Sequence, residues 1–220
     1  MSECMMYLHG MGGHPNEAYH FRDLCECEIF GIDYHGIDPW DVKAEILTEY
    51  DSLSKKFAHV SVIAVSLGAY FCMDSLNDKN ISRAFFISPV VNMEILILGM
   101  MSSAGVSESE LQAKQEIDTP YGAKLSWKYL EYVRAHPLNW TAPTWILHAE
   151  KDNLIPVGRV REFSQEHHAE LTVMQDGDHW FHTEEQLEFL DEWFRAAHHA
   201  ESPSLHGQAH NPPDCPCVRF

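Results

Sequence analysis

No uninterrupted apolar stretch in this 220-residue chain approaches the roughly twenty residues that a membrane-spanning helix needs. A basic-then-apolar leader is also missing, so membrane spanning and secretion are disfavoured and the cytoplasm is the expected compartment. Positive charge is scarce: 15 Lys and Arg stand against 33 Asp and Glu, a formal net charge of −18. Such a field slows the approach of nucleic acid and of strongly anionic ligands, which leaves neutral or cationic small molecules as the expected partners. The cysteines, Cys4, Cys25, Cys27, Cys72, Cys215 and Cys217, are even in number. A chain of this length buries roughly 70% of its unfolded surface in one core and needs no disulfide framework. Cys4 and Cys72 fall on apolar elements and read as small core residues.

No internal repeat is visible, and one domain over residues 1–199 is expected. Residues 200–220 have little apolar content and read as a disordered or loosely docked tail. His198, His199, His206, His210, Cys215 and Cys217 match no standard zinc spacing, so no metal is expected and no cofactor is implied. Oligomeric state stays open.

What the chain does have is a β-branched apolar run, Val60-Ser61-Val62-Ile63-Ala64-Val65, that feeds directly into Ser66 and then into a helical stretch. A serine on a sharp strand-to-helix turn stands clear of the sheet beside the positive end of the following helix. The residues two positions either side crowd that turn and must be small; here they are Ala64 and Gly68. Nearer the N-terminus, Cys4-Met5-Met6-Tyr7-Leu8 reads as a buried strand running into His9-Gly10-Met11-Gly12-Gly13. A loop of that kind can aim an amide at a developing oxyanion, and Met11 is the natural donor, paired with the amide of Leu67.

Two more strand ends carry chemistry. Trp145-Ile146-Leu147-His148-Ala149 leads into a turn that places Asp152 just past its end, with Pro156 opening a helix. Ala169 to Gln175 leads into Asp176-Gly177-Asp178-His179, followed by a helix from near Thr183. Ser66, Asp152 and His179 therefore follow one another as serine, acid and histidine, each just after a strand. Asn92 and Glu94, past the strand read at Arg83-Ala84-Phe85-Phe86-Ile87, occupy the alternative place for the acid; Asp176 and Asp178 lie too close to His179 in sequence to be first choices.

Together these elements resemble the α/β-hydrolase family over about residues 4–198, and the segment Ser88-Pro89-Val90-Val91-Asn92-Met93-Glu94 is similar to small bacterial hydrolases of the serine aminopeptidase and monoacylglycerol lipase branch. The resemblance implies an α/β fold: a mainly parallel sheet of about six strands flanked by helices, N-terminally shortened because the chain starts almost at the oxyanion-loop strand. It also implies a helical cap insertion, placed at about residues 90–142. Three helical patches are read there, at 93–101, 107–116 and 125–135, with no clear strand between Pro89 and Pro143. The first, Met93 to Met101, is apolar nearly all round; it reads as the wall of an acyl pocket in preference to an ordinary buried helix. Trp127, Tyr129, Tyr132 and Trp180 are further candidates for that pocket, though plain packing is the better reading of each.

The expected activity is that of a serine hydrolase acting on a small uncharged or apolar carboxylic ester, with thioester or amide substrates open. His179 would act as base, Asp152 as its orienting acid, and Met11 and Leu67 as oxyanion donors. Acyl transfer to another acceptor, and ligand binding without catalysis, are the rival readings.

Overall fold

The computed structural model describes residues 2–200, so the tail segment from 201 on, with His206, His210, Cys215 and Cys217, lies outside the described residues. The chain runs through β1 (Glu3–Leu8), a 3-10 helix (Pro15–Phe21), β2 (Glu28–Gly31), α1 (Pro39–Leu53), β3 (His59–Val65), α2 (Leu67–Leu76) and β4 (Ala84–Ile87). It continues through α3 (Met93–Ala104), α4 (Glu108–Lys114), β5 (Glu116–Asp118), β6 (Lys124–Ser126) and α5 (Trp127–Ala135). It closes with β7 (Thr144–Ala149), α6 (Val157–Glu166), β8 (Glu170–Met174) and α7 (Glu184–His199). Six strands form one sheet in the order β2-β1-β3-β4-β7-β8, every neighbouring pair parallel.

Both faces of that sheet are covered, which is why its strands read as near-continuous apolar runs. Side chains alternate between two cores with the strand period of two. Cys4, Met6 and Leu8 of β1, with Val60, Val62 and Ala64 of β3, join the core under α1, α2 and α6. Met5 and Tyr7, with Ile63, Phe85 and Trp145, face the opposite core, closed by Phe21 of the 3-10 helix and by Leu190, Trp193 and Phe194 of α7. Helix α1 buries an apolar stripe, Val42, Ile46 and Leu53 beside Tyr50, with Leu47 partly buried.

The strand order reverses between β1 and β3, since β2 lies on one side of β1 and β3 on the other. The loops leaving two such strands diverge and leave a crevice at their carboxyl ends, where ligands of open parallel sheets bind. The loops at this switch point are the predicted ones, His9–Gly13 after β1 and Ser66 after β3.

Between β4 and β7 the three expected helical patches are present as α3, α4 and α5, but the absence of strands there is corrected by the antiparallel pair β5 and β6. Each is three residues long with one apolar side chain, Ile117 opposite Leu125, too little to show an alternation in sequence. Met93, Ile97, Met101, Leu111, Leu125 and Leu130 belong to the same core as the sheet, so this segment builds on the domain instead of forming a core of its own.

Candidate active site

Ser66 stands between β3 and α2 with φ 50° and ψ −117°, a conformation that a residue with a Cβ enters only under strain. Its neighbours enforce it. The Ser66 amide donates to the Ile87 carbonyl at 2.9 Å, and its own carbonyl accepts from Val90 at 3.0 Å and Ala69 at 3.1 Å. Of the six non-glycine residues with positive φ among the described residues, four, Ser66, Ser88 (φ 43°), Asp176 (φ 57°) and Phe181 (φ 45°), lie in loops at the carboxyl edge of the sheet; Gln115 and His168 lie elsewhere.

Gly68 is the reason α2 can approach β1. A methyl group there would lie 2.4 Å from the His9 carbonyl oxygen and 2.5 Å from that of Leu8, both backbone atoms that cannot swing aside. Gly68→Ala is therefore expected to cost about 1–3 kcal/mol in urea unfolding. An unchanged midpoint would mean that the helix yields without cost.

The structure brings the three predicted side chains together. The Ser66 hydroxyl lies 2.9 Å from Nε2 of His179, and Nδ1 of His179 lies 2.6 Å from Oδ2 of Asp152. All three are buried. The second carboxylate oxygen, Oδ1, accepts from the amides of Leu154 and Ile155, each at 2.8 Å, so the turn after β7 fixes the carboxylate plane and leaves Oδ2 for the imidazole. Burial pushes the Asp152 carboxyl up, but the hydrogen bond from His179 and the amides of Ile155 and Leu154 outweigh it and hold the group below its ordinary range.

The other acids are engaged elsewhere. Asn92 caps α3 by accepting from the Ile95 amide at 3.0 Å, and Glu94 pairs with Arg134 at 2.7 Å on the surface. Asp176 pairs with Lys151, and Asp178 holds Gln186 and the Trp180 amide. Met11 sits on the turn after β1 with an exposed side chain; neither its amide nor that of Leu67 has a hydrogen-bond partner among the described residues. Both amides are thus available as donors.

Several residues in the site were not singled out in the sequence. Glu17 ties the loop after β1: it accepts from the Tyr7 hydroxyl at 2.7 Å and from the His14 amide at 3.1 Å, while Nδ1 of His14 accepts from the Asn16 amide at 3.1 Å. A His-x-x-Glu capping box was the available signal. Tyr34 donates to the His9 carbonyl and stacks on the His9 ring at 4.3 Å, a contact between loops that no local pattern announces. His148, fully buried on β7, has Nε2 3.0 Å from the Ile155 carbonyl and 3.9 Å from Oδ2 of Asp152.

Burial lowers the His148 pKa from its ordinary 6.5. The unfolded chain takes up that proton first as pH falls, so His148 costs stability progressively below about pH 6.5. His148→Gln should flatten part of that decline in thermal unfolding between about pH 7 and pH 5. A slope identical to wild type would show that His148 carries none of it.

Helix α3 divides its faces. Met93, Ile97 and Met101 enter the core, while Ile95, Leu96, Gly99 and Met100 line an apolar cavity of about 450 Å³. One face of this helix is thus ordinary core packing, and the other borders a cavity. The other walls are Val91 and Asn92, just past the residue that holds Ser66, the turn from Asn153 to Pro156 that holds Asp152, and Ser103, Tyr121 and Arg159. Trp127, Tyr129 and Tyr132 pack against the core instead. Trp180 is exposed and stands edge-on to the His179 ring at 4.8 Å. No helix among the described residues is long and apolar enough to cross a membrane.

Solved structures share this architecture. Est1E from Butyrivibrio proteoclasticus matches with a TM-score of 0.67 at 18% identity, over 89% of this chain and 86% of that one. The α/β-hydrolase domain-containing protein 10 from mouse matches with a TM-score of 0.67 at 15% identity, over 88% of each chain. A marine microorganism esterase matches with a TM-score of 0.57 at 14% identity, over 90% of this chain and 95% of that one. At these identities the likeness establishes the α/β-hydrolase fold. A comparison with curated proteins found no match. In sequence, the profile described as uncharacterised protein family UPF0227 matches residues 4–191, and the chain belongs to that family.

Proposed function

We propose that this protein is a serine hydrolase that cleaves small uncharged or apolar carboxylic esters through an acyl-enzyme. The observation that carries the reading is the buried Ser66–His179–Asp152 relay, with contacts of 2.9 Å and 2.6 Å, on a strained serine at the switch point of the sheet. Nε2 of His179 takes the hydroxyl proton as Ser66 attacks the ester carbonyl, and Oδ2 of Asp152 accepts from Nδ1–H and stabilises the imidazolium. The amides of Met11 and Leu67 hold the oxyanion, worth roughly 3–4 kcal/mol for a donor in related chemistry. His179 then protonates the leaving alcohol, and water, activated by the same imidazole, releases the acid.

Residues 90–142 act as the cap in this reading, and the cavity beneath α3 receives the acyl group. Its mainly apolar walls favour an aliphatic or aryl acyl chain. The test is intact-mass labelling by a fluorophosphonate probe, followed by hydrolysis of p-nitrophenyl esters of graded chain length with and without added alcohol. A single adduct and free acid as product support the proposal. Ester products formed from the added alcohol in place of acid would make the protein an acyltransferase. No adduct on folded protein would favour ligand binding without catalysis.

A further inference from the structure

A second cluster of reactive side chains lies away from the relay. Cys25 sits in the loop after the 3-10 helix, Cys27 immediately precedes β2, and His198 is in the last turn of α7. β2 starts at Glu28, which pairs with Cys4 near the start of β1, so the cluster is at the amino edge of the sheet, whereas Ser66 follows the carboxyl end of β3. The two thiol sulfurs are 3.2 Å apart, and they and a ring nitrogen of His198 all lie within 4.8 Å of one another. All three residues are partly buried.

We propose that Cys25, Cys27 and His198 bind one Zn²⁺ ion and so fasten the end of α7 to the start of β2. Two thiolates and an imidazole are the donor set that selects zinc over hard cations. Tetrahedral zinc with bonds of about 2.3 Å to sulfur spaces two thiolates about 3.8 Å apart, so the cluster closes on the ion by shifts of less than about an ångström. The protein supplies little that competes. The other contacts of Cys25 are long, 3.6 Å to the Phe21 carbonyl and 4.0 Å to that of Cys27. Nδ1 of His198 is buried with no hydrogen-bond partner among the described residues. The site is also held in place: Arg83 donates to the His198 carbonyl, sits 3.4 Å from its Nε2, and is neutralised by Glu3 at 2.9 Å. Binding replaces two S–H protons by the metal, so Zn²⁺ with two thiols and a neutral imidazole gives a neutral centre and two released protons, with water as fourth ligand.

The sequence spacing concealed this site because His198 stands 171 positions after Cys27, and a Cys-x-Cys pair alone matches no zinc framework. The test is calorimetric titration of the reduced, metal-stripped full chain with Zn²⁺, and with Co²⁺ to read the thiolate-to-metal charge-transfer band. One zinc per chain is expected, with two protons released and a raised melting temperature. Binding should be abolished in Cys25→Ser/Cys27→Ser, weakened at least about tenfold in His198→Gln, and kept in Cys215→Ser/Cys217→Ser. Zinc retained in Cys25→Ser/Cys27→Ser or lost in Cys215→Ser/Cys217→Ser overturns the proposal, as does a Cys25–Cys27 disulfide in protein that binds no zinc after reduction. A cooperative thermal unfolding transition by circular dichroism reports whether each variant is folded. Should Cys25→Ser/Cys27→Ser fail to fold, unchanged zinc affinity in His198→Gln is enough to reject the site.

Discussion

Ser66→Ala is expected to lower ester turnover by about 10⁴- to 10⁶-fold and to abolish fluorophosphonate labelling, with the fold intact. The size follows from what one oxygen does in the proposed mechanism, where it is the nucleophile and the imidazole 2.9 Å away takes its proton. His179→Ala should be equivalent, because members of one relay fail together and not additively. Folding should hardly notice Ser66→Ala, since the hydroxyl contributes a single hydrogen bond and alanine inherits the same φ of 50°. Ser66→Gly offers the complementary reading. It removes the Cβ that makes this backbone unfavourable and should raise stability by about 1 kcal/mol while also eliminating activity. A protein that gains stability and loses catalysis at one residue shows strain maintained for function. Retained turnover in Ser66→Ala would remove the serine mechanism altogether.

The second large effect belongs to Asp152→Asn, which should reduce kcat by about 10⁴-fold with little change in KM. Oδ1 accepts from two amides at 2.8 Å, so an asparagine there must keep its carbonyl oxygen in that place and turn its NH₂ toward His179. A donor then faces Nδ1 where an acceptor stood at 2.6 Å. Nδ1 has to accept, the ring proton moves to Nε2, and Nε2 can no longer take the proton of Ser66. Stability should carry its own pH signature, at lower pH than that of His148. The folded-state carboxyl is held below the ordinary 3.8, so its contribution is present above that value and is lost as pH falls through the lowered one. Asp152→Asn should therefore lose part of the acid limb of wild-type unfolding. A kcat within about tenfold of wild type would show that Asp152 neither orients nor charges the histidine.

Much of this site was legible before any coordinates, because each part sits where a local pattern changes. Val60 to Val65 is β-branched and apolar until Ser66, and the switch from strand to helical period locates the turn. Asp152 and His179 were likewise found as polar residues just past apolar strands. What local patterns could not announce are contacts made across the fold. Tyr34 reaches the His9 carbonyl, and His148 supports the Asp152 turn from inside a strand where a histidine looks like any core residue. β5 and β6 were missed because three residues are too few to display a period.

The sequence by itself determined the alternation of strands and helices, the strand-end positions of Ser66, Asp152 and His179, and the small residues Ala64 and Gly68 that the turn at Ser66 needs. These are properties of period, size and chain order, which neighbouring residues express without help. Only the tertiary structure decided that Asp152 and not Glu94 reaches His179, that α3 turns one face to the core and the other to a cavity, and that His198 meets Cys25 and Cys27. Each of these depends on which loops and helix ends a parallel sheet brings to the same edge, and distance along the chain carries no information about that.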